Sequence, residues 1–141
     1  MKTTLRPGDS HVHSFTVTEA KTVPRLYPES AEFLAMPQVF ATGYMVGLME
    51  WACIEALKPH LDDGEGSLGT GIAVNHIAAT PPGMKVTVTV TCLAVDGRRV
   101  QWRVRAEDER ELIGEGTHER AVVVWDRFNR KVAEKAGLIG G

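Results

Sequence analysis

A hydroxyl, a carboxylate and an imidazole stand inside two apolar stretches of this chain. Thr42 and Glu50 lie in VFATGYMVGLMEWAC, and His76 lies in GEGSLGTGIAVNHIAATPPG. These are the three groups that acyl-transfer chemistry most often combines. A polar group among apolar neighbours is costly unless it is paired, so each needs a partner. Each also has an ordinary structural role open to it. Thr42 sits near a helix start and can cap it, although the capping-box position three residues on is Met45. Glu50 can be a solvated mid-helix residue, and His76 a hydrogen-bonded core residue. Within one regular helix Thr42 and Glu50 are ~12 Å apart along the axis, which excludes a simple touching triad. They can instead flank one substrate, with a second subunit completing the site.

Other chemistry-bearing residues are less specific. Gly64, Gly66, Gly69 and Gly71 match neither a P-loop nor a dinucleotide fingerprint. Gly69 permits close backbone approach and offers an N–H to a carbonyl oxygen, or it is a bend in a strand. His11 and His13 share a strand face without a third ligand in view, so no metal is expected. Arg98, Arg99, Arg103 and Arg105 read as a solvated face. Cys53 and Cys92 lie in apolar periodic segments and read as buried free thiols.

The elements that must position these groups follow from pattern. Asp9 to Thr18 alternates and is rich in β-formers, which predicts a first strand. From Lys21 to Gln38, Pro24, Pro28 and Pro37 forbid a long regular element. Yet the segment holds Val23, Leu26, Tyr27, Phe33, Leu34 and Met36, so it must lie over something, as a lid or as plain packing. Phe40 to Leu61 predicts the one long helix, with Met45, Leu48, Met49, Ala52, Ala56 and Leu57 on one face. Its flanks are also apolar, which predicts a helix wrapped on several sides. Four strands follow: Gly66 to Thr80, Met84 to Val95, Arg98 to Glu107 and Leu112 to Trp125. Asp96-Gly97 marks a hairpin turn. Val86, Val88, Val90 and Cys92 alternate with Thr87, Thr89 and Thr91, and Asp126 to Ala136 predicts a short final helix. The order predicts an α+β domain in which an antiparallel sheet wraps one long central helix, with a lid segment before it: the hotdog arrangement. Such a sheet leaves an exposed edge that a C2 dimer would remove.

The chain has 141 residues, which suits a single domain spanning 1–141. Apolar residues make up 43% and charged residues 24%, and the net charge is -2. That balance gives no general drive toward nucleic acid or an anionic membrane. No apolar run is long enough to span a bilayer, and MKTTLRPGDSHVH lacks the apolar stretch of a signal peptide, so a cytoplasmic location is expected.

The segments TVPRLYPES, VFATGYMVGLMEWAC, GEGSLGTGIAVNHIAATPPG and GEGTHERAV resemble the fluoroacetyl-CoA thioesterases of the hotdog superfamily. The resemblance covers nearly the whole domain and implies a homodimer that hydrolyses a short-chain acyl-CoA to the carboxylate and CoA, with no cofactor. It implies Thr42, Glu50 and His76 as the catalytic set, Gly69 as a backbone contact near the thioester carbonyl, and Val23, Leu26, Phe33 and Met36 as lid residues against the substrate. Glu50 then acts either as nucleophile or as the base that activates water. The fluoroacetate-resistance members carry phenylalanine where this chain has Met36, and methionine is a less rigid gate. The rival readings are a hotdog enoyl-CoA hydratase, whose usual motif is missing here, and a non-catalytic acyl-CoA binding protein.

Overall fold

The computed structural model describes residues 1–140. Its strands are β1 (Ser10–Thr16), β2 (Glu65–Val74), β3 (Lys85–Asp96), β4 (Arg99–Glu107) and β5 (Leu112–Val124). Its helices are α1 (Ala31–Leu34), α2 (Thr42–Leu57) and α3 (Trp125–Gly140). The strands form one antiparallel sheet in the order β1-β3-β4-β5-β2, and α2 lies against β1, β3 and β4. This is the α+β arrangement that the pattern predicts.

The sheet and helix meet through matched periodicities. Met45, Leu48, Met49, Ala52, Cys53 and Leu57 of α2 are buried. They face Val86, Val88, Val90 and Cys92 of β3 and Val100, Trp102 and Val104 of β4. Each large side chain withdrawn from water in this layer contributes about 1.5–3 kcal/mol. Trp51 and Ile54, on the other side of α2, are exposed, so within one chain the helix is covered on one side only. That corrects the expectation of wrapping on several sides. On β1, the Glu55 carboxylate of α2 is shared by His11 Nε2 at 3.1 Å and His13 Nδ1 at 2.8 Å, tying the strand to the helix. No group of three or more His, Cys, Asp or Glu among the described residues is arranged to hold a metal ion.

Turn chemistry sets the connections. Gly97, with φ 60°, closes the β3–β4 hairpin in a conformation that suits glycine. Between β4 and β5, Asp108 Oδ1 accepts the backbone N–H groups of Arg110 and Glu111 at 2.8 and 2.9 Å. Its other oxygen accepts from Thr80 Oγ1 at 2.9 Å, which reaches across to the segment after β2.

That segment is where the sequence pattern misleads. The strand expected to continue to Thr80 ends at Val74. Beyond it, Asn75 N and Ile77 N still donate to Glu115 O and Ile113 O, at 3.1 and 2.7 Å. However, the Asn75 side-chain oxygen, 2.9 Å from Glu115 N, takes the place of a ladder carbonyl. Thr80 O then accepts from Phe40 N at 2.8 Å, drawing the chain off the sheet toward the start of α2. The helix is also shorter than expected, giving way to a tight turn over Lys58–His60 that contains Pro59.

The proline-interrupted segment before α2 has a closed stem. Val23 N donates to Val39 O at 2.9 Å, Ala41 N donates to Lys21 O at 3.1 Å, and Thr22 pairs with Phe40 as an isolated bridge. Above the stem stand the tight turn Val23–Arg25 and α1, with the Tyr27 and Phe33 rings 5.5 Å apart. Tyr27, Leu34 and Met36 are exposed at its tip.

Gly114 of β5 allows this junction to close. A β-carbon there would lie 2.5 Å from the Asn75 carbonyl oxygen and 3.0 Å from the Met45 sulfur. Gly114→Ala is therefore expected to destabilise the fold by about 1–3 kcal/mol in urea or guanidinium unfolding, the usual cost of overpacking. Unchanged stability would show that the Asn75 segment is not held against β5 as described.

Candidate active site

The path of the chain after β2 brings His76 to the first turn of α2. Thr42 Oγ1 and His76 Nδ1 are 2.7 Å apart. Thr42 is free for this contact because Ala41, in extended conformation, is the residue that precedes the first helical turn, and no side chain caps it. The Thr42 hydroxyl thus serves the imidazole rather than the helix terminus. His76 is half-buried, and burial lowers its pKa below the ordinary imidazole value. Its Nε2 is buried without a hydrogen-bond partner. A neutral imidazole beside a hydroxyl can take that hydroxyl's proton, which is the first contact of an activated oxygen nucleophile.

Glu50 does not join this pair. Two turns further along α2, its Oε1 accepts from Arg120 Nη1 at 3.1 Å. Arg120 comes from β5 and is almost completely buried, at 2% exposure. Its Nε and Nη2 donate to Ser67 Oγ and Ser67 O, each at 2.9 Å. Opposite Arg120 in the β2–β5 register is Gly69, followed by a bulge before Gly71. A β-carbon at Gly69 would lie 2.7 Å from Glu50 Oε1 and 3.1 Å from His118 Cε1. Glycine here lets the strand, the carboxylate and the imidazole crowd together. Val46, Glu50, Gly69, Thr70, Gly71, Ile72 and His118 line an open depression of about 310 Å³.

The structure therefore arranges the sequence-derived residues as two groups on one helix. Thr42 and His76 meet directly, with Leu26 close by: its Cδ2 lies 3.3 Å from where a Gly43 β-carbon would be. Glu50 and Gly69 belong to the second group, around Arg120. Val23 lies in the lid stem, Phe33 packs at a tilt against Tyr27 within the lid, and Met36 is exposed. Cys53, beside the second group, is buried, and burial pushes its thiol up to about 12, which leaves it unreactive.

His118 and Arg120 were not singled out by sequence pattern, although GEGTHERAV contains both. Their signal was strand parity. His118, Arg120 and Val122 alternate on the inward face of β5, and a cation placed two residues from a core valine needs partners within the fold.

Comparison with known proteins places the fold in a family. A family model described as fluoroacetyl-CoA-specific thioesterase matches residues 17–126. The fluoroacetyl-CoA thioesterase of Streptantibioticus cattleyicolor is 58% identical over 135 residues, covering 96% of this chain and 97% of that protein. A crystal structure of a variant fluoroacetyl-CoA-specific thioesterase in complex with fluoroacetate and CoA is 58% identical. It covers 88% of this chain and 99% of its own, with a TM-score of 0.87. More distantly, a thioesterase-superfamily protein from Thermus thermophilus is 30% identical, with a TM-score of 0.82 over 94% of this chain and 96% of its own. On the family model and the 58% identity over nearly its whole length, the chain belongs to the fluoroacetyl-CoA-specific thioesterase family.

Proposed function

We propose that this protein hydrolyses short-chain acyl-CoA thioesters, fluoroacetyl-CoA among them, to the carboxylate and free CoA. The observation that carries this reading is the 2.7 Å contact between Thr42 Oγ1 and the desolvated His76. Thr42 donates to Nδ1 of the neutral ring and passes its proton there as the oxygen attacks the thioester carbonyl. His76 returns that proton to the departing CoA sulfur. It then takes a proton from a water that attacks the acyl-threonine, and passes that proton to Thr42 Oγ1 as the carboxylate leaves. Glu50, engaged by Arg120, serves as part of a fixed charged wall rather than as the nucleophile. Gly69 gives the acyl carbonyl close approach to the backbone. A depression of about 310 Å³ is at the small end of ligand sites, which suits a short acyl group.

The protein acts as a homodimer in this reading. The outer edge of β2 has no partner strand among the described residues, and Ile72 on it is 46% exposed. Two copies joined along β2 would satisfy that edge and close the depression on its open side. No helix of the described residues is long and apolar enough to cross a membrane.

Three outcomes test the reading. Incubation with acetyl-, fluoroacetyl- and longer acyl-CoAs should release free thiol, and His76→Ala should lower turnover about 100-fold or more. Because His76 works as the neutral base, kcat/KM should be flat near neutrality and fall on the acid side, with a midpoint below pH ~6.5. Thiol release at background from every substrate would sink the thioesterase assignment, and hydration of crotonyl-CoA would favour a hydratase. For the dimer, Ile72→Lys is expected to shift sedimentation toward the monomer with loss of activity; an unaltered dimer would place the interface elsewhere. For the lid, Met36→Phe should raise the fluoroacetyl-to-acetyl ratio of kcat/KM, and an unchanged ratio would remove the lid tip from selectivity.

A further inference from the structure

His118 is almost wholly buried, at 3% exposure, and both of its ring nitrogens are engaged. Nδ1 is 2.7 Å from Gly71 O, and Nε2 is 3.1 Å from Arg120 Nη1. A guanidinium has only donors, so Nε2 must be the acceptor and must carry no proton. A carbonyl only accepts, so Nδ1 must carry the proton. The two neighbours therefore fix a single neutral tautomer. A second proton would set an N–H against the guanidinium, and burial, the larger cause, already holds the His118 pKa below the ordinary value.

The same ring links both walls of the depression. The Gly71 carbonyl it binds follows the Thr70 bulge of β2, and Arg120 Nη1 also donates to Glu50. We propose that His118 is a positioning residue for the thioesterase reaction: locked as the Nδ1–H tautomer, it holds Arg120, and through it Glu50, in register with the bulged Gly69–Gly71 backbone. This rests on the hydrolytic reading above. It adds that the site depends on a histidine that never exchanges a proton during turnover.

Two amides separate the two bonds. In His118→Gln the amide oxygen stands near Nε2 and keeps an acceptor for Arg120. In His118→Asn the amide nitrogen stands near Nδ1 and keeps the donor to Gly71 O but leaves Arg120 without its acceptor. His118→Asn is expected to lower kcat about 10- to 100-fold with little change in KM, as misplacement of a positioned group does. His118→Gln should recover most of that loss, with the two variants melting at similar temperatures. Equal kcat in the two variants, or losses that track their melting temperatures, would overturn the proposal and leave His118 a packing residue. Nitrogen NMR of the wild-type imidazoles gives a reading that does not depend on either variant folding. It should show His118 neutral and protonated at Nδ1 through neutral pH, and an Nε2–H or charged ring would overturn the assignment. Absence of hydrolysis in the wild type would count against the thioesterase reading instead, since the tautomer is measured without substrate.

Discussion

A guanidinium buried on the inner face of β5 is the constraint from which the second half of the site follows. Arg120 cannot lose its charge, and taking it out of water is tolerable only when acceptors surround it. Ser67 supplies two, Glu50 one and His118 one. Ser67 lies on β2, Glu50 on α2 and His118 on β5 beside Arg120. Satisfying Arg120 therefore fixes how α2, β2 and β5 stand relative to one another. The Gly69 position is part of this solution, because any side chain there would occupy the space of the Glu50 carboxylate.

The first half of the site has a different origin. Thr42 and His76 meet because the backbone leaves β2 at Asn75 and is captured by Phe40 and Asp108 through Thr80. Apart from the Asp108 carboxylate, these contacts are between neutral groups. One centre is set by electrostatic necessity and the other by backbone routing, and the rigid α2 helix joins them. Their separation along that helix gives the proposed site two parts: a hydroxyl–imidazole pair at one end and an ion pair further along.

What could be read from sequence was what local periodicity encodes. The apolar stripe of α2, the valine–threonine alternation of β3 and the Asp96-Gly97 turn each specify their element within a few residues. Thr42, Glu50 and His76 stood out because polar groups in apolar surroundings need an explanation. Their partners were not legible. Arg120 is seventy residues from Glu50 in sequence, and His76 thirty-four from Thr42, so neither contact leaves a local trace. The end of β2 was hidden for a related reason: IAVNHIA alternates as well as any strand, and only the Asn75 side chain and the pull of Thr80 end it. Parity on β5 would have exposed His118 and Arg120, because the strand itself was evident.

The stem beneath the lid separates two kinds of selection on this molecule. Thr22, Val23, Val39 and Phe40 close the loop where it joins the body, so the residues above it contribute little to holding the core together. Met36 and Leu34 are exposed there, and exchanging them carries a small thermodynamic cost. Residues around Arg120 have no such freedom, since each is an acceptor the buried cation requires. Under the proposed reading, substrate preference can drift through the lid across generations, while the residues around Arg120 stay fixed by folding itself.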